Sequence, residues 1–233
     1  VIQRPPCAPF IRLGAELVAV RIKICGIRSV DDARIAVAAG ADAIGLILSP
    51  ARRQVQVEVA RTITSTLPPF VVPVGVFVDE PANRIAQFAR ELGLGAVQLH
   101  GDEPAEAAES LVSQGLRVIK AFRVSDRVDH AALARFRAAS AILLDTRVEG
   151  VMGGTGRTFP WRIAEGLSSE YRVVLAGGLH PGNVADALTA LAPYAVDVTS
   201  GVESGDRKDP VKVAAFVDAV RAWDARAAAT REP

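Results

Sequence analysis

"RIKICGIRSVDDARIAVAAGADAIGLIL" spans residues 21–48, and its reading decides the fold. It opens on a short apolar run, "RIKIC" (21–25), and turns at Gly26. An alanine-rich amphipathic segment (30–40) follows, then a second apolar run, "AIGLIL" (43–48). The middle segment has acidic residues in its first turn and a glycine at its end, both helix-terminus signals. Nearly continuous apolar runs flanking such a helix read as parallel strands covered on both faces.

The unit recurs along the chain. Further strands are expected at "VPVGVFV" (72–78), "AVQLH" (96–100), "RVIKAF" (117–122), "AILLD" (141–145), "RVVLAG" (172–177) and "AVDVTS" (195–200). Helical segments are expected at 80–93, 102–115, 180–192 and 209–229, among others. Eight strands alternating with eight helices, with no domain-scale linker, predict a single α/β domain, a (β/α)8 TIM barrel of eight parallel strands. A doubly wound open sheet also alternates, but more naturally with fewer strands. The barrel is expected over 21–227. Residues 1–20 fall outside the pattern and read as a flexible extension or a non-native start, and 228–233 as a tail.

Twenty-seven basic against 26 acidic side chains leave a net charge of +1, so nothing general draws the chain to nucleic acid or an anionic membrane. Two cysteines and three scattered histidines make neither a disulfide framework nor a metal-ligand pattern. No run approaches the roughly 18 apolar residues that span a bilayer. A cytoplasmic enzyme is the expectation, with no metal and no cofactor.

In a barrel, polar residues at the C-terminal strand ends meet in one mouth. Cys25 ends the first strand and Asp145 the sixth. A free cysteine is commonly a small buried hydrophobe, and Asp145 could instead cap the loop after it. Across one mouth, however, thiol and carboxylate make a plausible base and acid. Glycine-rich stretches follow the last three strands: "GGTG" (153–156), "LAGGL" (175–179) and "TSGVESG" (199–205). Such loops let backbone N–H groups approach a phosphate. In "SPARRQV" (49–55) either Arg52 or Arg53 could hold a substrate carboxylate. His100 is a substrate contact or a structural support. Asp197, inside the eighth strand, is an inward polar residue or an ion-pair partner.

These motifs, "KICGI", "DAIGLIL", "VGVFV", "VQLHGDE", "LLDT", "GGTGRTFPW", "LAGGLHPGNV" and "VDVTSGVESGDRKD", closely resemble those of the phosphoribosylanthranilate isomerases of tryptophan biosynthesis. The resemblance runs in order over residues 21–222. It implies an Amadori rearrangement of N-(5-phosphoribosyl)anthranilate to 1-(2-carboxyphenylamino)-1-deoxyribulose 5-phosphate without cofactor or metal. Cys25 would be the general base and Asp145 the general acid. Arg53 aligns best with the arginine that contacts the anthranilate carboxylate. Phosphate contacts carry over to Gly154, Thr155, Gly177, Gly178, Ser200 and Gly201. Thr199 stands where serine is common, which leaves the backbone donors untouched. The thiol, ordinarily near 8.5, would need only modest lowering to serve as a base.

The implied partner is a small phosphosugar substrate, with the protein a monomer or a homodimer. Three other readings stay open at this point. An indole-glycerol-phosphate synthase would need a catalytic lysine early in the barrel, and Lys23 shares a strand face with Cys25. A bifunctional histidine and tryptophan isomerase would be expected to place an aspartate where Cys25 stands. A phosphosugar-binding barrel could lack catalysis.

Overall fold

A computed structural model of the chain describes residues 19–146 and 160–230. Within them, eight parallel strands close into a barrel in sequence order. They are β1 (Arg21–Ile24), β2 (Ala43–Ile47), β3 (Val72–Phe77), β4 (Ala96–Leu99), β5 (Val118–Val124), β6 (Ala141–Thr146), β7 (Val173–Leu175) and β8 (Ala195–Val198). The closing seam pairs β1 with β8, Lys23 opposite Asp197 and Ile24 opposite Val198. The outer helices are α1 (Val30–Ala38), α2 (Val57–Ser65), α3 (Ala82–Leu92), α4 (Ala105–Ser113), α5 (His130–Arg135), α6 (Leu167–Glu170), α7 (Val184–Leu191) and α8 (Pro210–Ala229).

Strand parity sorts the side chains into two layers. Ile22, Ile24, Ile44, Leu46, Leu99, Leu144, Val196 and Val198 face the helices in one continuous core. The alternate positions line the barrel centre, where the apolar residues are mostly small: Ala121, Ala141, Leu143, Val174, Ala176 and Ala195. That leaves room inside for three buried polar side chains, Lys23, Gln98 and Asp197.

Local signals explain the helix ends. The Ser29 hydroxyl accepts from the Asp32 amide at 3.1 Å at the start of α1. Asp209 accepts from Val211 and Lys212 ahead of Pro210 in α8. Gly93 stops α3 in the left-handed conformation. Three helices begin later than their sequence pattern suggests, at Ala82, Ala105 and Val184 rather than 80, 102 and 180. Pro81, Pro104 and Pro181 lie just ahead of those starts, and a proline disfavours helical backbone at the residue before it. β7 ends at Leu175 rather than 177, because Gly177 and Gly178 turn to φ of +82° and +66°. Beyond β8, Ser200–Val202 form a 3-10 turn in place of further strand. A small hairpin follows, of β9 (Glu203–Ser204) and β10 (Arg207–Lys208).

Candidate active site

Cys25 lies at the first position beyond β1, its amide donating to Val198 O at 2.8 Å across the seam. Gly26 follows at φ +74°, a conformation open to glycine. A side chain there would also collide with Arg53, whose Cδ is 2.9 Å from where a Cβ would sit. Arg53 therefore crosses directly over the turn that carries Cys25. The pairing of these two residues in one mouth, expected from strand ends alone, has a backbone cause.

Beneath the thiol, Lys23 Nζ donates to both oxygens of Asp197, at 2.9 and 3.0 Å. This pair is nearly sealed from solvent, Lys23 being 4% exposed. Such a lysine is committed to its carboxylate and is not presented to a substrate, unlike the lysine the synthase reading requires. Asp197 is both an inward polar residue and the ion-pair partner, its two expected readings together. Burial opposes the charge of Lys23, but the Asp197 carboxylate overcomes it and holds the ammonium above its ordinary value.

Gly45, on the adjacent strand, explains how thiol and ammonium fit together. A Cβ at Gly45 would stand 2.5 Å from Cys25 Sγ and 3.0 Å from Lys23 Nζ. Both groups thus reach into the space this glycine leaves empty. Burial raises the Cys25 thiol, the Lys23 ammonium partly offsets that, and the Asp197 charge adds to the rise. The expected modest lowering is not what the protein provides: desolvation outweighs the neighbouring cation.

Asp145 sits on β6 in register with Arg123 of β5. Its Oδ2 is 3.3 Å from His100 Nε2, and His100 Nδ1 is 2.7 Å from Gln98 Nε2. The turn after β4 that holds His100 is locked from below. Glu103 accepts from the amides of Gly101 and Asp79, each at 3.0 Å. Lys120 donates to Gly101 O at 2.6 Å and to Glu103 at 2.8 Å. Arg123 Nη2 adds a bond to His100 O at 3.2 Å. Of its two expected readings, the contact of His100 with Asp145 has the geometry of a support.

Arg53 donates from Nε to Glu203 Oε1 at 3.0 Å and from Nη2 to Oε2 at 2.6 Å. Lys208, opposite Glu203 in the hairpin, donates to Glu203 Oε1 at 2.9 Å and to Thr199 O at 3.0 Å. Burial disfavours charge on Glu203, but the hydrogen bond from Arg53 and the Lys208 ammonium prevail, holding it below the usual carboxylate range. Burial lowers Lys208, and the Glu203 carboxylate that it shares with Arg53 returns less than burial takes. Arg52, the competing arginine, points outward and pairs with Asp206.

Further round the rim, the loop after β7 is braced by Asn183, which donates to Gly178 O at 3.0 Å and accepts from His180 N at 2.8 Å. Gly201 packs so closely on Leu179 O that no side chain fits there. The two glycine-rich turns, with Ser200 between strand and turn, therefore form one continuous rim. Gly154 and Thr155 lie outside the described residues.

Sequence reading missed Gln98, Glu203 and Lys208. Gln98 could have been found by parity, since it stands two residues before His100 on an inward position of an otherwise apolar strand. Among the described residues no group of histidine, cysteine or carboxylate side chains could hold a metal ion. No helix among them is long and apolar enough to cross a membrane.

Residues 22–219 match the family model of N-(5'-phosphoribosyl)anthranilate isomerase. The chain is 47% identical over 203 residues to the isomerase of that name from Moorella thermoacetica, covering 87% of this chain and 90% of the relative. It superposes on the phosphoribosyl anthranilate isomerase of Thermotoga maritima with a TM-score of 0.81 at 40% identity, covering 87% and 99% of the two chains. A solved structure of phosphoribosyl anthranilate isomerase in complex with reduced 1-(o-carboxyphenylamino)-1-deoxyribulose 5-phosphate matches with a TM-score of 0.78 at 39% identity, over the same shares. With its closed barrel and with Cys25 and Asp145 at the C-terminal ends of β1 and β6, the chain belongs to the N-(5'-phosphoribosyl)anthranilate isomerase family.

Proposed function

We propose that the mouth of this barrel converts N-(5-phosphoribosyl)anthranilate to 1-(2-carboxyphenylamino)-1-deoxyribulose 5-phosphate, with Asp145 as general acid and Cys25 as general base. Asp145 gives its proton to the ribose ring oxygen. The C1–O bond breaks as the anthranilate nitrogen lone pair forms a C=N bond, opening the sugar to a protonated Schiff base. The Cys25 thiolate then takes the proton from C2, and that electron pair forms C1=C2 while nitrogen regains its lone pair. The enolamine tautomerises to the ketone, O–H losing and C1 gaining a proton. Each transfer needs a group on its own side of the sugar, which the ends of β1 and β6 supply.

The observation that carries this reading is the crossing of Arg53 over Gly26, beside the thiol. Glu203 occupies the Nε edge of that guanidinium. Nη1 and the remaining Nη2 hydrogen, without a partner among the described residues, grip the anthranilate carboxylate end-on. The phosphate is assigned to the rim after β7 and β8, to the backbone of Gly177, Gly178, Ser200 and Gly201, with Gly154 and Thr155 from the loop after β6. Left-handed glycines suit that task because their amides are unshielded by side chains. The protein works in the cytoplasm on a small-molecule substrate, as a monomer or a homodimer.

The test is complementation of a tryptophan auxotroph lacking the isomerase. Wild type restores growth, and Cys25→Ala and Asp145→Asn do not. Full growth with both variants overturns the assignment.

A further inference from the structure

Gln98 is 1% exposed at the centre of the barrel, and its Oε1 has no hydrogen-bond partner among the described residues. A buried polar oxygen left unpaired is costly, and so asks for a reason. The other end of the same amide is well used: Nε2 lies 2.7 Å from His100 Nδ1. Reversing the amide would bring oxygen to Nδ1 but leave both N–H hydrogens unpaired, in place of one N–H hydrogen and one acceptor. Buried donors without partners are the rarer of the two in folded proteins. The network therefore selects the orientation in which Gln98 donates.

That orientation has a chemical consequence two groups away. A Nδ1 that accepts a hydrogen bond carries no proton, so neutral His100 holds its hydrogen on Nε2. Nε2 faces Asp145 Oδ2 at 3.3 Å and donates to it. A carboxylic acid whose Oδ2 accepts a hydrogen bond keeps its own hydrogen on the other oxygen, Oδ1.

We propose that Gln98 is a positioning residue of the reaction: through the tautomer of His100 it places the acid hydrogen of Asp145 on Oδ1, ready for transfer to the sugar. This rests on Asp145 being the general acid. The charged groups around the relay are Arg123 on β5, Asp79 beyond β3, the Lys120–Glu103 pair under Gly101, and Lys23, Cys25 and Asp197 from the β1–β8 seam. Among the described residues, Gln98 is the hydrogen-bond partner of Nδ1.

The experiment is 15N NMR of the histidine side chains in the full-length protein. Only three histidines are present, and His100→Asn identifies the signal. Wild type is expected to carry the proton on Nε2. In Gln98→Glu the new carboxylate accepts from Nδ1, so that nitrogen becomes protonated. Gln98→Leu removes the unpaired oxygen, folds normally and shows mixed tautomers. Its kcat falls about tenfold with KM near wild type, short of the ~10²–10⁴ that a general acid itself contributes. A wild-type proton on Nδ1, or Gln98→Leu with unchanged tautomer and kcat, overturns the proposal. Failure of the acid assignment shows separately, as activity retained by Asp145→Asn whatever the tautomer.

Discussion

Arg53 and Glu203 meet edge to edge, Nε and Nη2 of one against the two oxygens of the other, at 3.0 and 2.6 Å. The contact fixes the plane of the guanidinium and so the direction in which its free end points. Lys208 holds the same carboxylate from the other side at 2.9 Å. The two cations are therefore not equivalent losses. Arg53→Ala leaves Glu203 still paired with Lys208. Glu203→Ala leaves the buried Lys208 and the partly buried Arg53 facing each other, and removing one partner of a buried pair costs up to about 3–5 kcal/mol. Denaturant unfolding should rank Glu203→Ala well below Arg53→Ala in stability. Steady-state kinetics should give Arg53→Ala the larger rise in KM, about tenfold or more for a lost charge-assisted bond. Equal stability of the two variants would contradict this geometry.

The same carboxylate sets a pH dependence. Glu203 titrates below its ordinary 4.5 in the folded protein, because Arg53 and Lys208 outweigh the effect of burial. When the folded value is depressed, the unfolded chain binds the proton first as pH falls. The stability from this site is therefore present above about 4.5 and lost as pH drops through the folded value. Melting temperatures measured from pH 7 down to 3 should fall in wild type. The acid-side slope should flatten in Glu203→Gln, whose amide does not titrate. An identical slope in both would assign the acid sensitivity elsewhere.

The barrel was legible because its strands are long enough to carry a pattern. "RIKIC" and "AVDV" alternate isoleucine or valine with lysine or aspartate, and that alternation is the boundary between outer core and barrel centre. The strand-end reading of Cys25, Asp145 and His100 follows from the same regularity. The Glu203–Lys208 hairpin was not legible, since strands of two residues have no period and "VESGDRK" reads equally well as a turn. The thiol's environment was hidden for another reason. Its ionisation depends on burial and on a lysine two residues back, and sequence distance says nothing of how deeply the pair is sunk.

That environment predicts the reactivity of Cys25. Burial holds the thiol above its ordinary value, and the Lys23 ammonium is the principal influence pulling the other way. In a Cys7→Ser background, alkylation of Cys25 should be slow at neutral pH and rise only in alkali. Lys23→Met removes the cation, so the midpoint should move further up and kcat should drop, with Asp197 left unpaired as an added cost to stability. The double variant Lys23→Met, Asp197→Asn removes that cost while still lacking the cation. Its stability should recover relative to Lys23→Met, and its alkylation midpoint should stay above that of wild type. Rapid alkylation at neutral pH in the single or the double variant would mean that Lys23 does not support the thiolate.

Gly45 offers the most compact test of how base and lysine are held. Cys25 Sγ and Lys23 Nζ both border the volume that a Cβ would fill, at 2.5 and 3.0 Å. Backbone conformation is no obstacle, because Gly45 lies within regular β2 and needs no positive φ. Alanine should even gain slightly from reduced freedom of the unfolded chain, by about 0.4–1 kcal/mol. Steric displacement works against that gain, since overpacking a filled interior costs about 1–3 kcal/mol. The first atom to move is the sulfur, as the lysine is anchored twice to Asp197. Gly45→Ala should therefore lose far more activity than stability: kcat falling tenfold or more by the usual sensitivity of ~10² per ångström of misplacement, with a change in unfolding free energy of about 2 kcal/mol or less. Gly75, in the neighbouring strand, supplies the control. A Cβ there would meet Leu94 and Phe77 on the helix side, so Gly75→Ala should destabilise the barrel and leave the activity of the folded fraction intact. Comparable kcat losses in the two variants would show that Gly45 has no particular bearing on the thiol.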